Sequence, residues 1–172
     1  LIIDGLFTTI TNVSFNEKTE RELIERIKSF YNGEPYDMKK IWNADEDIRS
    51  LKSLILFGIR GVAAYAYHAR ALGYVSDDVN KFFFKALPAL GENLGMNELL
   101  PLVIETGNIN LKCMELLDKA NTETFGTPTP TQVSLKIEKG PFIIITGHDL
   151  HDLKLLLEQT EGKGINIYTH GE

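Results

Sequence analysis

The sequence predicts a mainly helical chain that passes, towards its end, into an α/β unit. Three observations carry this. Apolar residues recur at helical spacing from Leu23 to Leu117. A threonine- and proline-rich stretch at Asn121–Gln132, NTETFGTPTPTQ, then breaks the pattern. Beyond it, two short β-branched runs, Phe142–Ile145 and Ile165–Tyr168, flank one amphipathic segment.

Residues 1–11 read as the tail of a helix, although their Thr and Ile leave a strand open. Ser14 with Glu17 forms a capping box that opens a helix to about Tyr31, with Leu23, Ile24 and Ile27 inward. Asn32-Gly33-Glu34-Pro35 ends it, and Tyr36–Trp42 is a connector in which Trp42 serves as a packing plug. Asn43 with Glu46 makes a second capping box and starts the longest helix, to about Leu72, with Gly73 as its stop. Gly58, Gly61 and the alanines of that helix let partner helices approach closely. Ser76, ahead of Asp77 and Asp78, caps the next helix, and Pro88 predicts an end or kink near Leu87. Asn97 caps a short helix over Glu98–Thr106, and Asn110 opens another through Ala120. After the linker, Val133-Ser134-Leu135-Lys136-Ile137 alternates as a strand or arm does.

The terminal stretch carries the chemistry. Phe142-Ile143-Ile144-Ile145 is a continuous apolar run, as in a strand buried on both faces, and it breaks at Thr146-Gly147. Asp149 caps a new helix, with Asp152 in its first turn and Leu150, Leu153, Leu156 and Leu157 on one face. Gly162 and Gly164 end that helix before the second strand. Strand, helix and strand in this length make a βαβ unit with parallel strands. His148 then stands just past the carboxyl end of the first strand and Glu172 just past that of the second. Ligands bind at that edge of an open α/β sheet. Neighbouring strands lie about 4.8 Å apart, so an imidazole and a carboxylate can converge there, as metal ligands or as acid–base groups. The plainer reading makes His148 a turn residue and Glu172 a solvated charge.

Composition narrows the function classes. The 172 residues are 43% apolar and 24% charged, ordinary for a soluble globular protein long enough to bury a core. A net charge of −6 argues against a nucleic-acid surface. The single cysteine, Cys113, excludes an internal disulfide framework and a thiolate-only metal site, and fits a reducing compartment. No stretch reads as a membrane span or a signal peptide. An apolar start without a cap, and a close just after a strand, predict that the chain is a piece of a larger protein.

The remaining chemistry-bearing residues have structural readings. Cys113 lies among Leu111, Met114 and Leu116 with no adjacent cation, as a buried inert thiol does. His68 sits on an apolar helix as a hydrogen-bonded core or surface histidine, and His151 faces solvent in a first turn. His170, two residues before Glu172, stands either beside the candidate ligands or simply in a loop. Gly162-Lys163-Gly164 follows no strand and precedes no helix, so it is a turn rather than a phosphate cradle.

The run GHDLHDLKLLLEQTEGKGINIYTHGE resembles the hybrid cluster protein family, also called prismane proteins or hydroxylamine reductases. Further blocks extend the resemblance over nearly the whole chain: LFTTITNVSF, DIRSLKSLILFGIRGVAAYAYHARALG and ETGNINLKCMELLDKANTETFG. The GHDL and YTHGE blocks at their separation are its most specific part. The resemblance implies a mainly α plus α/β fold, in which a helical bundle is followed by the first βαβ unit of a Rossmann-like domain. Residues 1–42 would close a first bundle and connect onward, 43–121 form a second bundle, 122–132 a linker and 133–172 the truncated α/β domain.

The resemblance also implies a cytoplasmic iron–sulfur oxidoreductase. Such a parent carries a hybrid iron–sulfur–oxygen cluster and a separate cysteine-ligated cluster (4Fe-4S in type). It reduces hydroxylamine to ammonia, or nitric oxide to nitrous oxide, with electrons from a redox donor. The family's histidine and first glutamate ligands to the hybrid cluster match His148 and Glu172. The family's cysteines, second glutamate and lysine have no counterpart here, and Cys113 matches none of them. The chain by itself is therefore expected to bind no cluster and to be inactive. A carbon monoxide dehydrogenase-like parent is an alternative, although a cysteine is expected there in place of Glu172. A non-enzymatic helical scaffold that binds a partner protein is another. Neither nucleic acid nor membrane is an expected partner.

Overall fold

A computed structural model of the chain describes residues 1–10, 16–31, 33–147 and 149–170. The chain divides into two compact units, Leu1–Ala120 and Asn121–Glu172.

Among the described residues, every secondary-structure element of the first unit is a helix. Its elements are α1 (Ile2–Phe7), α2 (Glu17–Phe30), α3 (Lys39–Trp42), α4 (Glu46–Ala71), α5 (Asp77–Gly91) and α6 (Met96–Phe125), the last running past the unit's end. Burial selects one stripe of α4, where Ile55, Ile59, Val62, Ala63 and Ala66 recur at spacings of three and four. Phe82, Phe83 and Ala86 of α5, Leu99, Leu102 and Cys113 of α6, and Ile41 of α3 close the same core. α1 also lies against α4: Phe7 stacks on Tyr67 with ring centroids 4.3 Å apart, and Arg70 pairs with Asp4.

Helix ends follow local chemistry, with several departures from the sequence reading. α2 is capped by Asn16, whose side chain accepts from the Lys18 and Thr19 amides; the predicted cap, Ser14, lies outside the described residues. Asn43 does not open α4: it is the C-cap of α3, and α4 starts only after Asp45. α4 stops in a six-to-one turn, where Tyr74 N–H donates to Ala69 O and Gly73 N–H to Arg70 O, both at 2.9 Å. That turn needs the left-handed φ of +89° that Gly73 supplies.

Two predicted helix ends are absent. α5 passes through Pro88 and ends at Gly91. The ring there removes the amide that would bond Phe84 O, and Phe84 is on the exposed side, where solvent replaces the lost donor. α6 is one helix, so Asn97 and Asn110 cap no separate segments. It begins at Met96, and the amide of the preceding Gly95 donates to the Glu98 carboxylate at 3.0 Å. Burial of Thr106, Ile109 and Cys113 carries the helix through Gly107-Asn108, overriding their low propensity. Nor is Trp42 the plug: it is 38% exposed, and its neighbour Ile41, at 1%, fills that place.

The second unit holds β1 (Phe142–Ile145), α7 (Leu150–Thr160) and β2 (Asn166–Thr169). β1 and β2 pair in parallel, as the spacing predicts, in the register Phe142↔Asn166 through Ile145↔Thr169. β1 is not buried on both faces: Phe142 and Ile144 are exposed while Ile143 and Ile145 are half-buried. The Val133–Ile137 stretch forms no strand, and Val133, Leu135 and Ile137 are exposed.

Candidate functional site

The candidate site is the carboxyl rim of the two parallel strands. The last paired residues are Ile145 of β1 and Thr169 of β2. The ladder continues one step further, where His170 N–H donates to Ile145 O at 3.1 Å. His148 follows Ile145 by three positions and Glu172 follows Thr169 by three, so in sequence both stand at the same offset beyond one paired rung. Both residues, with Gly171, lie outside the described residues.

What surrounds these positions is described. Asp149 caps α7 by accepting from the amides of His151 and Asp152, at 2.9 and 3.2 Å. The cap fixes where α7 starts, immediately after position 148, and sets the positive end of an eleven-residue helix beside the rim. On the helix itself, Leu153, Leu156 and Thr160 are half-buried, whereas Leu150 and Leu157 are exposed, so the packed stripe is narrower than predicted. His151 and His170 are exposed. At the opposite end of β2, Gly162 and Gly164 take φ of +70° and +66° and turn the chain back into the sheet.

The other titratable groups lead elsewhere. Cys113 is buried, its thiol directed at Val62 O at 3.5 Å, and burial pushes its pKa up to about 11. It is neutral and shielded at ordinary pH, as expected of a packing residue. His68 is half-buried against α1, its ring edge-on to Phe7 at 5.4 Å. Among the described residues no group of three or more His, Cys, Asp or Glu side chains could hold a metal ion. An imidazole and a carboxylate are sound ligands for iron bearing oxygen, but two donors without a thiolate fit only part of an iron–sulfur cluster.

The sequence reading missed two tethers. Lys52 is buried, and its ammonium donates to Leu90 O at 2.9 Å and Glu92 O at 2.7 Å, tying α4 to the end of α5. Its sequence signal is a cation three and seven residues before Ile55 and Ile59, on the apolar stripe. Tyr168 accepts from the Glu138 amide at 2.9 Å through its hydroxyl, fastening the approach segment to β2. A tyrosine in a strand gives no such signal.

A mainly helical chain with a parallel βαβ unit, and with a histidine and a glutamate three sequence positions past its last paired rung, is the class of protein defined so far. Comparison with known proteins gives the family. The chain matches the Prismane/CO dehydrogenase family over residues 1–172 and belongs to it. It is similar to proteins named hydroxylamine reductase from Methanocella arvoryzae, 41% identical over 99% of this chain and 38% of that protein. Another, from Porphyromonas gingivalis, is 42% identical over 99% of this chain and 36% of its own length. A third, from Caldanaerobacter subterraneus, is 41% identical over 99% and 37% respectively. The chain thus spans less than two-fifths of the length of these curated relatives.

Proposed function

We propose that the chain is an internal part of an iron–sulfur oxidoreductase that reduces hydroxylamine to ammonia. In this reading His148 and Glu172 each ligate an iron of a hybrid iron–sulfur–oxygen cluster. The observation that carries it is the parallel pairing of β1 with β2, ending at Ile145↔Thr169, with the two candidate ligands equally offset beyond that rung. Relatives named hydroxylamine reductase supply the reaction class. When bound, the cluster supplies electrons for breaking the nitrogen–oxygen bond. This chain's part is to fix two ligands with a short parallel ladder, a capped helix start and the positive end of α7.

The remaining ligands, including every thiolate, come in this reading from other segments of the longer polypeptide, as does a cysteine-ligated cluster. The βαβ unit is then the first of a Rossmann-like sheet whose missing strands and helices cover Phe142 and Ile144. Residues 43–121 form one bundle that α1 and Ile41 of α3 also join, residues 1–42 lead in from a preceding bundle, and the stretch after Phe125 links to the α/β part. The electron donor is a redox protein, and among the described residues no helix is long and apolar enough to cross a membrane. A carboxylate rather than a thiolate at position 172 favours hydroxylamine chemistry over the carbon monoxide dehydrogenase branch of the family.

The full-length protein, assayed with a reduced viologen dye and hydroxylamine, is expected to release ammonia. His148→Ala and Glu172→Gln are expected to lower that rate beyond the roughly 10–100-fold typical of outer-sphere partners. Nitric oxide as the faster substrate would redirect the assignment, and undiminished activity in both variants would remove the two residues from the site. The isolated chain is expected to purify without stoichiometric iron and without activity.

A further inference from the structure

Between α4 and α6 runs an apolar groove of about 360 Å³, walled by Leu54, Phe57, Tyr65 and Val103. Its lining includes three glycines, and they differ in what explains them. At Gly58 a Cβ would stand 2.6 Å from Thr106 Cγ2, so packing within this chain excludes a side chain there. At Gly61 and Gly107 a Cβ would meet nothing within 4 Å. Neither has positive φ, so the backbone does not require glycine at either place. Each instead weakens its helix by about 1 kcal/mol relative to alanine. Meanwhile Leu54 is 57% exposed and Phe57 54% exposed beside them. Bare helix backbone flanked by large apolar side chains is what a close-packed second helix needs.

We propose that this groove seats an apolar helix supplied by the same, longer polypeptide. The inference rests on the reading of the chain as part of such a polypeptide, and it is independent of the metal ligands. The relatives contain well over half their length outside the matched region. A helix on that tethered remainder meets the groove at millimolar effective concentration, ahead of a second copy or a separate partner.

The test uses the full-length protein with a photocrosslinking amino acid at position 54 or 65, followed by peptide mass analysis. The expected product is an intramolecular crosslink from the groove to a segment outside residues 1–172. Crosslinks between two copies, to a different protein, or only to solvent would overturn the proposal. Thermal unfolding of full-length Gly61→Leu and Gly61→Ala gives the second measurement. An occupied groove predicts a lower Tm for the leucine variant, whereas an open one predicts a Tm raised in both variants, since leucine and alanine both form helix better than glycine. Neither readout depends on iron, and the mass of the native gene product independently decides whether the longer polypeptide exists.

Discussion

The two units of this chain hold themselves together in different ways. Every buried hydrophobic residue among those described lies between Phe7 and Ala120, in the helical unit. The α/β unit buries none: α7 has no buried residue, and β1 alternates exposed with half-buried. Its shape comes from backbone chemistry instead, namely a parallel ladder, the Asp149 cap and four glycines at positive φ. A helix bundle satisfies its backbone internally and needs only one apolar stripe per helix covered. A parallel sheet needs cover on both faces. The proposed ligands therefore sit on the unit whose own packing is incomplete, where additional chain has the most to contribute.

Core truncation should show the contrast most strongly. Phe83→Ala in α5, at a side chain 1% exposed, is expected to cost about 3–5 kcal/mol of stability in urea unfolding. That loss should be similar for the isolated chain and the full-length protein. Phe142→Ala, at a residue 58% exposed, should cost under about 1 kcal/mol in the isolated chain and clearly more in the full-length protein. Equal small losses in both contexts would show that nothing covers β1.

The Lys52 clamp comes next. Lys52→Met keeps the stem but leaves the Leu90 and Glu92 carbonyls without their ammonium donor, an expected loss of about 1–3 kcal/mol. Faster amide exchange confined to the end of α5 and to α4 would be its signature. In the other unit, Asp149→Ala removes the cap of α7 and should cost about 1 kcal/mol, read as faster exchange at the His151 and Asp152 amides. Asp149→Asn should retain most of it.

The smallest effect concerns Cys113. Burial raises its folded pKa from 9.0 to about 11, so the unfolded chain loses the thiol proton first. Its contribution to stability is therefore fully present below pH 9.0 and falls as pH rises towards about 11. Near neutral pH the thiol should resist alkylation in the folded chain and react after denaturation. Cys113→Ala should abolish that difference and flatten the alkaline limb. Rapid alkylation of the folded chain would place the thiol outside the core.

Sequence periodicity was most informative where one physical cause acts alone. The stop at Gly73, the caps at Ser76 and Asp149, and the pairing of the two terminal strands each follow from a short-range requirement. Where packing competes with local preference, packing won. Gly107-Asn108 reads as a break, yet Ile109 and Cys113 are buried on one continuous helix. Pro88 reads as an end or kink, yet the helix continues past it, and Phe82, Phe83, Ala86, Ala89 and Leu90 are buried on both sides of it. The alternation of Val133, Leu135 and Ile137 reads as a strand or an arm, and the strand is absent, with no ladder partner among the described residues. For the candidate site, strand order and direction were legible, because a crossover of this length through a helix joins parallel neighbours. The positions of the His148 and Glu172 side chains were not, since they depend on the loops beyond the last paired rung.

The most direct test of the rim as an iron-ligating edge is the iron content and Mössbauer spectrum of the full-length protein, beside its His148→Ala and Glu172→Ala variants. The account predicts that each variant loses the iron signal with nitrogen or oxygen ligation while the thiolate-ligated cluster remains. Full iron occupancy and an unchanged spectrum in both variants would contradict it.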